Sequence, residues 1–161
     1  MTDTLKLLQE FHTEKLAMLL RHQAAARVIG QYDANNTYQY VVNREEMQLT
    51  WLAAAIIELG GQPAQSVEVS RTFSGKKEAA AREAIDGDAR DAQEFVDRWT
   101  PRLRQMTNAR HSRMLSVILG ETLEQKRFFD QALAGRTDLL GKRGEEVGPA
   151  FGTVLPGRWI E

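Results

Sequence analysis

The chain has 161 residues, 42% of them hydrophobic and 27% charged, with 21 Lys and Arg against 22 Asp and Glu for a formal charge of −1. This supports one folded domain with a real core, and the balanced, unclustered charge excludes the basic footprint needed to grip phosphate backbones. The lack of cysteine excludes disulfides, thiolate metal sites, iron–sulfur clusters and cysteine nucleophiles.

Met1-Thr2-Asp3-Thr4-Leu5-Lys6 has no basic segment leading into an apolar one, and the longest apolar run, Leu52 to Ile57, is too short to cross a bilayer. The expectation is a cytoplasmic protein with neither membrane nor nucleic acid as partner.

The first predicted helix runs from about Asp3 to Ile29, with Leu5, Leu8, Leu16, Leu19 and Ala26 repeating at helical spacing and Gly30 as its stop. Asp33 to Thr37 reads as a short connection. A second helix follows from about Asn36 to Leu59, carrying the stripe Tyr38, Val41, Glu45, Gln48, Leu52, Ala55 and Leu59 until Gly60-Gly61 and Pro63 end it. Residues 60–76 hold Gly, Pro, Ser and Thr around Val67-Glu68-Val69 and form a long connection. The third helix begins near Lys77 and presents Ile85, Asp88, Ala92, Phe95 and Trp99, with Gly87 weakening it by about 1 kcal/mol relative to alanine.

Two readings are open for its end. Thr100-Pro101 can serve as N-cap and first residue of a fourth helix. Alternatively the third helix continues, kinked, to about Thr107, and Asn108 caps a shorter fourth one. In either case the last helix ends near Ala134-Gly135. Residues 135–161 contain six of the twelve glycines and two of the four prolines, yet also Phe151, Val154, Leu155, Trp159 and Ile160. Such side chains suit a segment docked on the bundle or on a neighbouring subunit. Short, long and short connections predict an all-α four-helix bundle over residues 1–134, with a crossover between its second and third helices.

Charged and amide residues inside these apolar stripes carry the chemistry, because burying them without partners costs several kcal/mol. They are His12 between Leu8 and Leu16; Glu45 and Gln48; Asp88; and His111, Thr122 and Gln125 on a stripe with Leu115, Ile118 and Phe129. His22 reads as an exposed or hydrogen-bonded helix residue, and Arg71, Lys76 and Lys77 as solvated loop charges.

The run Arg44-Glu45-Glu46-Met47-Gln48-Leu49-Thr50-Trp51-Leu52, continuing to Leu59-Gly60-Gly61-Gln62-Pro63, resembles the ferritin-like superfamily and its rubrerythrin-like bacterial branch. Ile118 to Gln125 is a weaker match. The resemblance implies a ferritin-like bundle, but the two Glu-x-x-His motifs of a di-iron centre align with Glu45-x-x-Gln48 and Thr122-x-x-Gln125. Both histidines are missing, the first-helix carboxylate slot holds His12, or Glu10 or Glu14 in a shifted register, and Asp88 stands where the family has glutamate. A standard ferroxidase centre is therefore not expected.

Two readings of the constellation follow. In the first, no cofactor is bound, and Glu45 joins Gln48, Gln125 and His12 in a buried polar network within a protein acting through its surface, as a homodimer or larger assembly. On that reading Glu45→Gln leaves stability little changed or improved. In the second, His12, Glu45 and Asp88 hold one iron, manganese or zinc ion, with Gln48, Thr122, Gln125 and His111 bonded around them, in a metal-dependent redox or stress-response protein.

Overall fold

The computed structural model describes residues 2–136 and Leu139; the rest of the C-terminal extension lies outside the described residues. Among the described residues four helices account for the regular structure: α1 Thr2–Ala26, α2 Tyr32–Glu58, α3 Glu78–Arg104 and α4 Ala109–Leu133. The all-helical expectation is met. None of the described helices is long and apolar enough to cross a membrane.

Contacts between the ends give the topology. Leu5 of α1 sits against Gly61 beyond the end of α2, Glu10 pairs with Arg102 at the end of α3, and Glu58 pairs with Arg110 at the start of α4. The opposite end gathers Ile29 and Ala34 with Ala81 and Leu133. Helices α2 and α3 therefore finish at the same end, and residues 59–77 run the length of the bundle between them. A 27-residue helix rises about 40 Å at 1.5 Å per residue, a span this connection can cover when extended. Helix α1 packs most closely on α2 and α3 on α4, while α1 flanks α3 and α2 flanks α4.

Helix ends account for most departures from the expected boundaries. Helix α2 starts at Tyr32, earlier than anticipated, because the Gln31 side chain accepts a hydrogen bond from the Ala34 amide at 2.6 Å. Asn35 is then not a turn residue; its amide donates to the carbonyls of Ala26 and Ile29 and so satisfies the end of α1. Gly60, at φ 86°, closes α2 in a Schellman turn with the Gly61 amide on the Ile56 carbonyl. Gly61 lets Leu5 pack closely, since a Cβ there would lie 2.5 Å from Leu5 Cδ1 and displace that side chain.

Helix α3 passes through Pro101, so the second of the two readings of its end is correct and Thr100 is not an N-cap. Proline removes one helical hydrogen bond, but Trp99 and Leu103 lie one turn apart on the buried face and hold the last turn in place. Asn108 instead caps α4, accepting from the His111 amide at 3.0 Å.

The core of the described residues is two apolar clusters with buried polar side chains between and among them. One cluster contains Leu8, Phe11, Leu52, Ile56, Phe95, Trp99, Leu115 and Ile118. The other contains Ala25, Ile29, Tyr38, Val41, Ile85, Phe128 and Phe129. His22 on α1, Glu45 and Gln48 on α2, and Thr122 and Gln125 on α4 fall between residues of the two clusters, while Lys15 is flanked by Phe11 and Met18 of the first and Asp88 by Ile85 and Ala89 of the second.

Candidate functional site

All seven residues singled out from the stripes are buried, but they are not one another's partners. Glu45 and Asp88 lie at the centre of the network, each fully buried. Glu45 accepts from Lys15 Nζ at 3.0 Å on Oε2 and meets His22 Nδ1 at 2.6 Å on Oε1. The other ring nitrogen of His22 stands 3.8 Å from Asp88 Oδ1. Asp88 accepts the Tyr38 hydroxyl at 2.5 Å on Oδ2 and forms an ion pair with Arg71 Nη1 at 2.8 Å on Oδ1. Two carboxylates from α2 and α3 are thus neutralised by cations from α1 and from the crossover.

The network expected from sequence has the right centre and the wrong partners. No hydrogen bond or ion pair joins His12, Gln48 or Gln125 to Glu45 among the described residues. Gln48 instead donates to Glu121 at 2.7 Å, which Arg44 also binds at 2.6 Å. Thr122 returns its hydroxyl to the Ile118 carbonyl. His12 Nδ1, both ring nitrogens of His111, and the side-chain oxygens of Gln48 and Gln125 have no hydrogen-bond partner among the described residues.

Sequence reading missed Lys15, His22, Tyr38 and Arg71 as members of the site. For the α1 pair the signal was present: Leu8, Lys15, His22 and Ile29 recur every seven residues, with Phe11, Met18 and Ala25 between them. That is the 3.5-residue repeat of a helix packed at a shallow crossing angle, and it puts Lys15 and His22 on the central seam. The stripe through Leu5, His12 and Leu16 lies beside it.

Arg71 carried no such signal. It lies in the crossover, far in sequence from its partners, and its guanidinium also donates to the carbonyls of Arg21 and Ala84 at 2.7 and 2.9 Å. It is not a solvated loop charge. The same contact gives Gly87 a reason, because a Cβ there would approach Arg71 Nη2 to 3.1 Å.

The electrostatics follow from burial set against pairing. Burial pushes the His22 imidazole down, but Glu45 and Asp88 on either side outweigh it and raise its pKa. Burial pushes Glu45 up, and His22 and Lys15 more than reverse this, holding its carboxyl below the usual range. For Asp88 burial prevails over His22, Arg71 and Tyr38, and its pKa is raised. Burial and then Asp88 keep the Tyr38 hydroxyl neutral well above its ordinary value. His12, which has no anion beside it, is lowered by burial.

A raised histidine stabilises the fold fully below its unfolded pKa and loses that contribution as pH rises through its folded value. A lowered carboxylate stabilises above its unfolded pKa and loses the contribution as pH falls through its folded value. Asp88, raised, works against Glu45 on the acid side. Stability is therefore expected to decline above pH 6.5 on account of His22, and on the acid side below pH 6.5 through His12 and below pH 4.5 through Glu45. The alkaline slope approaches about 1.4 kcal/mol per pH unit for one proton. Thermal melts followed by circular dichroism check this: His22→Gln is expected to flatten the alkaline limb, and an unchanged slope would assign it to other groups.

The donor set does not fit a metal ion as the side chains stand. Iron or manganese in a helical bundle needs carboxylate oxygens free to coordinate, with imidazole beside them. Here the Glu45 oxygens are directed at an ammonium and an imidazole and Asp88 Oδ2 at a phenol, while Asp88 Oδ1 faces the Arg71 guanidinium as an ion pair without a hydrogen bond. No group of three or more His, Asp and Glu among the described residues is arranged to hold a metal. The chain matches no protein-family model, and no curated protein or solved structure shows significant similarity to it.

Proposed function

We propose that this is a ferritin-like protein in which fixed side-chain cations take the place of core metal ions, and that it works as a non-catalytic, cytoplasmic binding protein through its surface. The observation that carries the reading is the buried Lys15 ammonium 3.0 Å from Glu45. A cation anchored in the chain neutralises the carboxylate that the resemblance assigns to metal binding. The diagonal crossover and the Leu59-Gly60-Gly61-Gln62-Pro63 turn after α2 support the ferritin-like assignment. A homodimer is the assembly we favour, because Tyr40 and Met47 on α2 and Val117 on the neighbouring α4 each leave nearly half of their surface exposed.

The test is metal content. Protein produced with added iron, manganese and zinc, and purified without chelators, is expected to carry far less than one ion per chain, with light scattering giving the mass of a dimer. A near-stoichiometric metal lost on Glu45→Gln would overturn the reading in favour of the metal-dependent redox protein.

A further inference from the structure

We propose that the apolar groove at the end of the bundle where α1 turns into α2 is the seat of the chain's own C-terminal segment, residues 137–161. The groove has a volume of about 790 Å³, and its walls include Ile29, Ala34, Ala81, Ile85 and Leu133. It draws on the end of α1, the start of α2, the start of α3 and the end of α4, so no helix of the bundle is left to cover it. An opening of this size and composition is kept from water only by an apolar occupant.

Three observations identify that occupant. The chain leaves α4 through Gly135, at φ 92°, and Arg136, and both residues belong to the groove wall. Leu139, three residues further on, is only 4% exposed, so the first large apolar side chain past the helix is already buried. The remaining segment holds Phe151, Val154, Leu155, Trp159 and Ile160 beyond a glycine-rich stretch, within reach of any part of the groove at up to about 3.3 Å per residue. Tethering favours the chain's own segment over that of another molecule, since a short linker makes the encounter intramolecular.

Limited trypsin digestion of the full chain, read by mass spectrometry after Lys142, Arg143 and Arg158, tests the proposal. Cleavage at these sites is expected to be on the order of tenfold faster when Ala81→Trp fills the groove, with helicity unchanged. Phe151→Ser combined with Leu155→Ser is expected to accelerate the same cleavages from the other side of the contact. Because those two changes lie outside the bundle, they carry the test alone if Ala81→Trp fails to fold. Equal rates in the native chain and the variants would overturn the proposal, as would protection that disappears on dilution, which would mean a segment exchanged between molecules.

Discussion

Lys15→Met and Glu45→Met, made singly, are each expected to lower the free energy of unfolding by about 3–5 kcal/mol, and the double variant to recover most of that loss. Each single change strands a charge in an interior with no water to solvate it. Without Glu45, the Lys15 ammonium keeps only the Phe95 ring at 5.5 Å, and His22 loses its 2.6 Å partner. Without Lys15, Glu45 retains His22 alone. Removing both members replaces an ion pair with two flexible apolar side chains, an exchange that is often neutral or favourable when the volume suits. His22 can then remain beside Asp88 or lose its proton.

A double-mutant cycle in urea reads the coupling. If the two losses simply add, the contact does not organise the core and the central claim about this network fails. The expectation for Glu45→Gln changes accordingly: the sequence reading, which gave Glu45 neutral partners, anticipated little change or a gain, whereas two cationic partners make a loss the expected result.

Arg71→Met is expected to lower stability by about 3 kcal/mol or more and to open the crossover to proteolysis. One guanidinium joins Asp88 on α3 to the carbonyls of Arg21 and Ala84, while stacking 5.1 Å from the Phe73 ring. The loss is therefore both electrostatic, because Asp88 keeps only Tyr38 and His22, and mechanical, because residues 59–77 lose their tie to Arg21 and Ala84 and keep the end contacts Gln9–Gln62 and Ser74–Glu83. Arg71→Lys is expected to restore only part of it, since an ammonium cannot reproduce the planar fork. Trypsin cleavage at the exposed Lys76 and Lys77, followed with denaturant unfolding, separates the two effects. Unchanged cleavage with native stability would show that the crossover is held by other contacts.

The candidate site was half legible in the sequence, for reasons that differ residue by residue. Glu45 and Asp88 were found because a carboxylate between apolar residues at helical spacing has only one place to point. Lys15 and His22 were overlooked because two phases of the α1 pattern compete. Leu16 and Leu19 argue for one phase, while the heptad through Leu8, Lys15, His22 and Ile29 carries the other. Tyr38 stands on the second-helix stripe like any core aromatic, and only its hydroxyl, 2.5 Å from Asp88, joins it to the polar network. The end of α3 was equally ambiguous, because a Thr-Pro pair suits a helix start and a helix interior near its last turn. Burial of Leu103 one turn beyond Trp99 decided it.

By itself the sequence determined the helical class, four amphipathic segments, the long connection between the second and third, and the presence of buried polar side chains within the apolar stripes. These follow from local periodicity and capping chemistry, which act over a few residues and are written in the order of the chain. Tertiary structure alone decided who neutralises whom. Lys15 reaches Glu45 across 30 positions and Arg71 reaches Asp88 from a loop with no periodic pattern. Those pairings lie outside the reach of periodicity, because an anion's partner is set by distance in space and not by spacing along the chain.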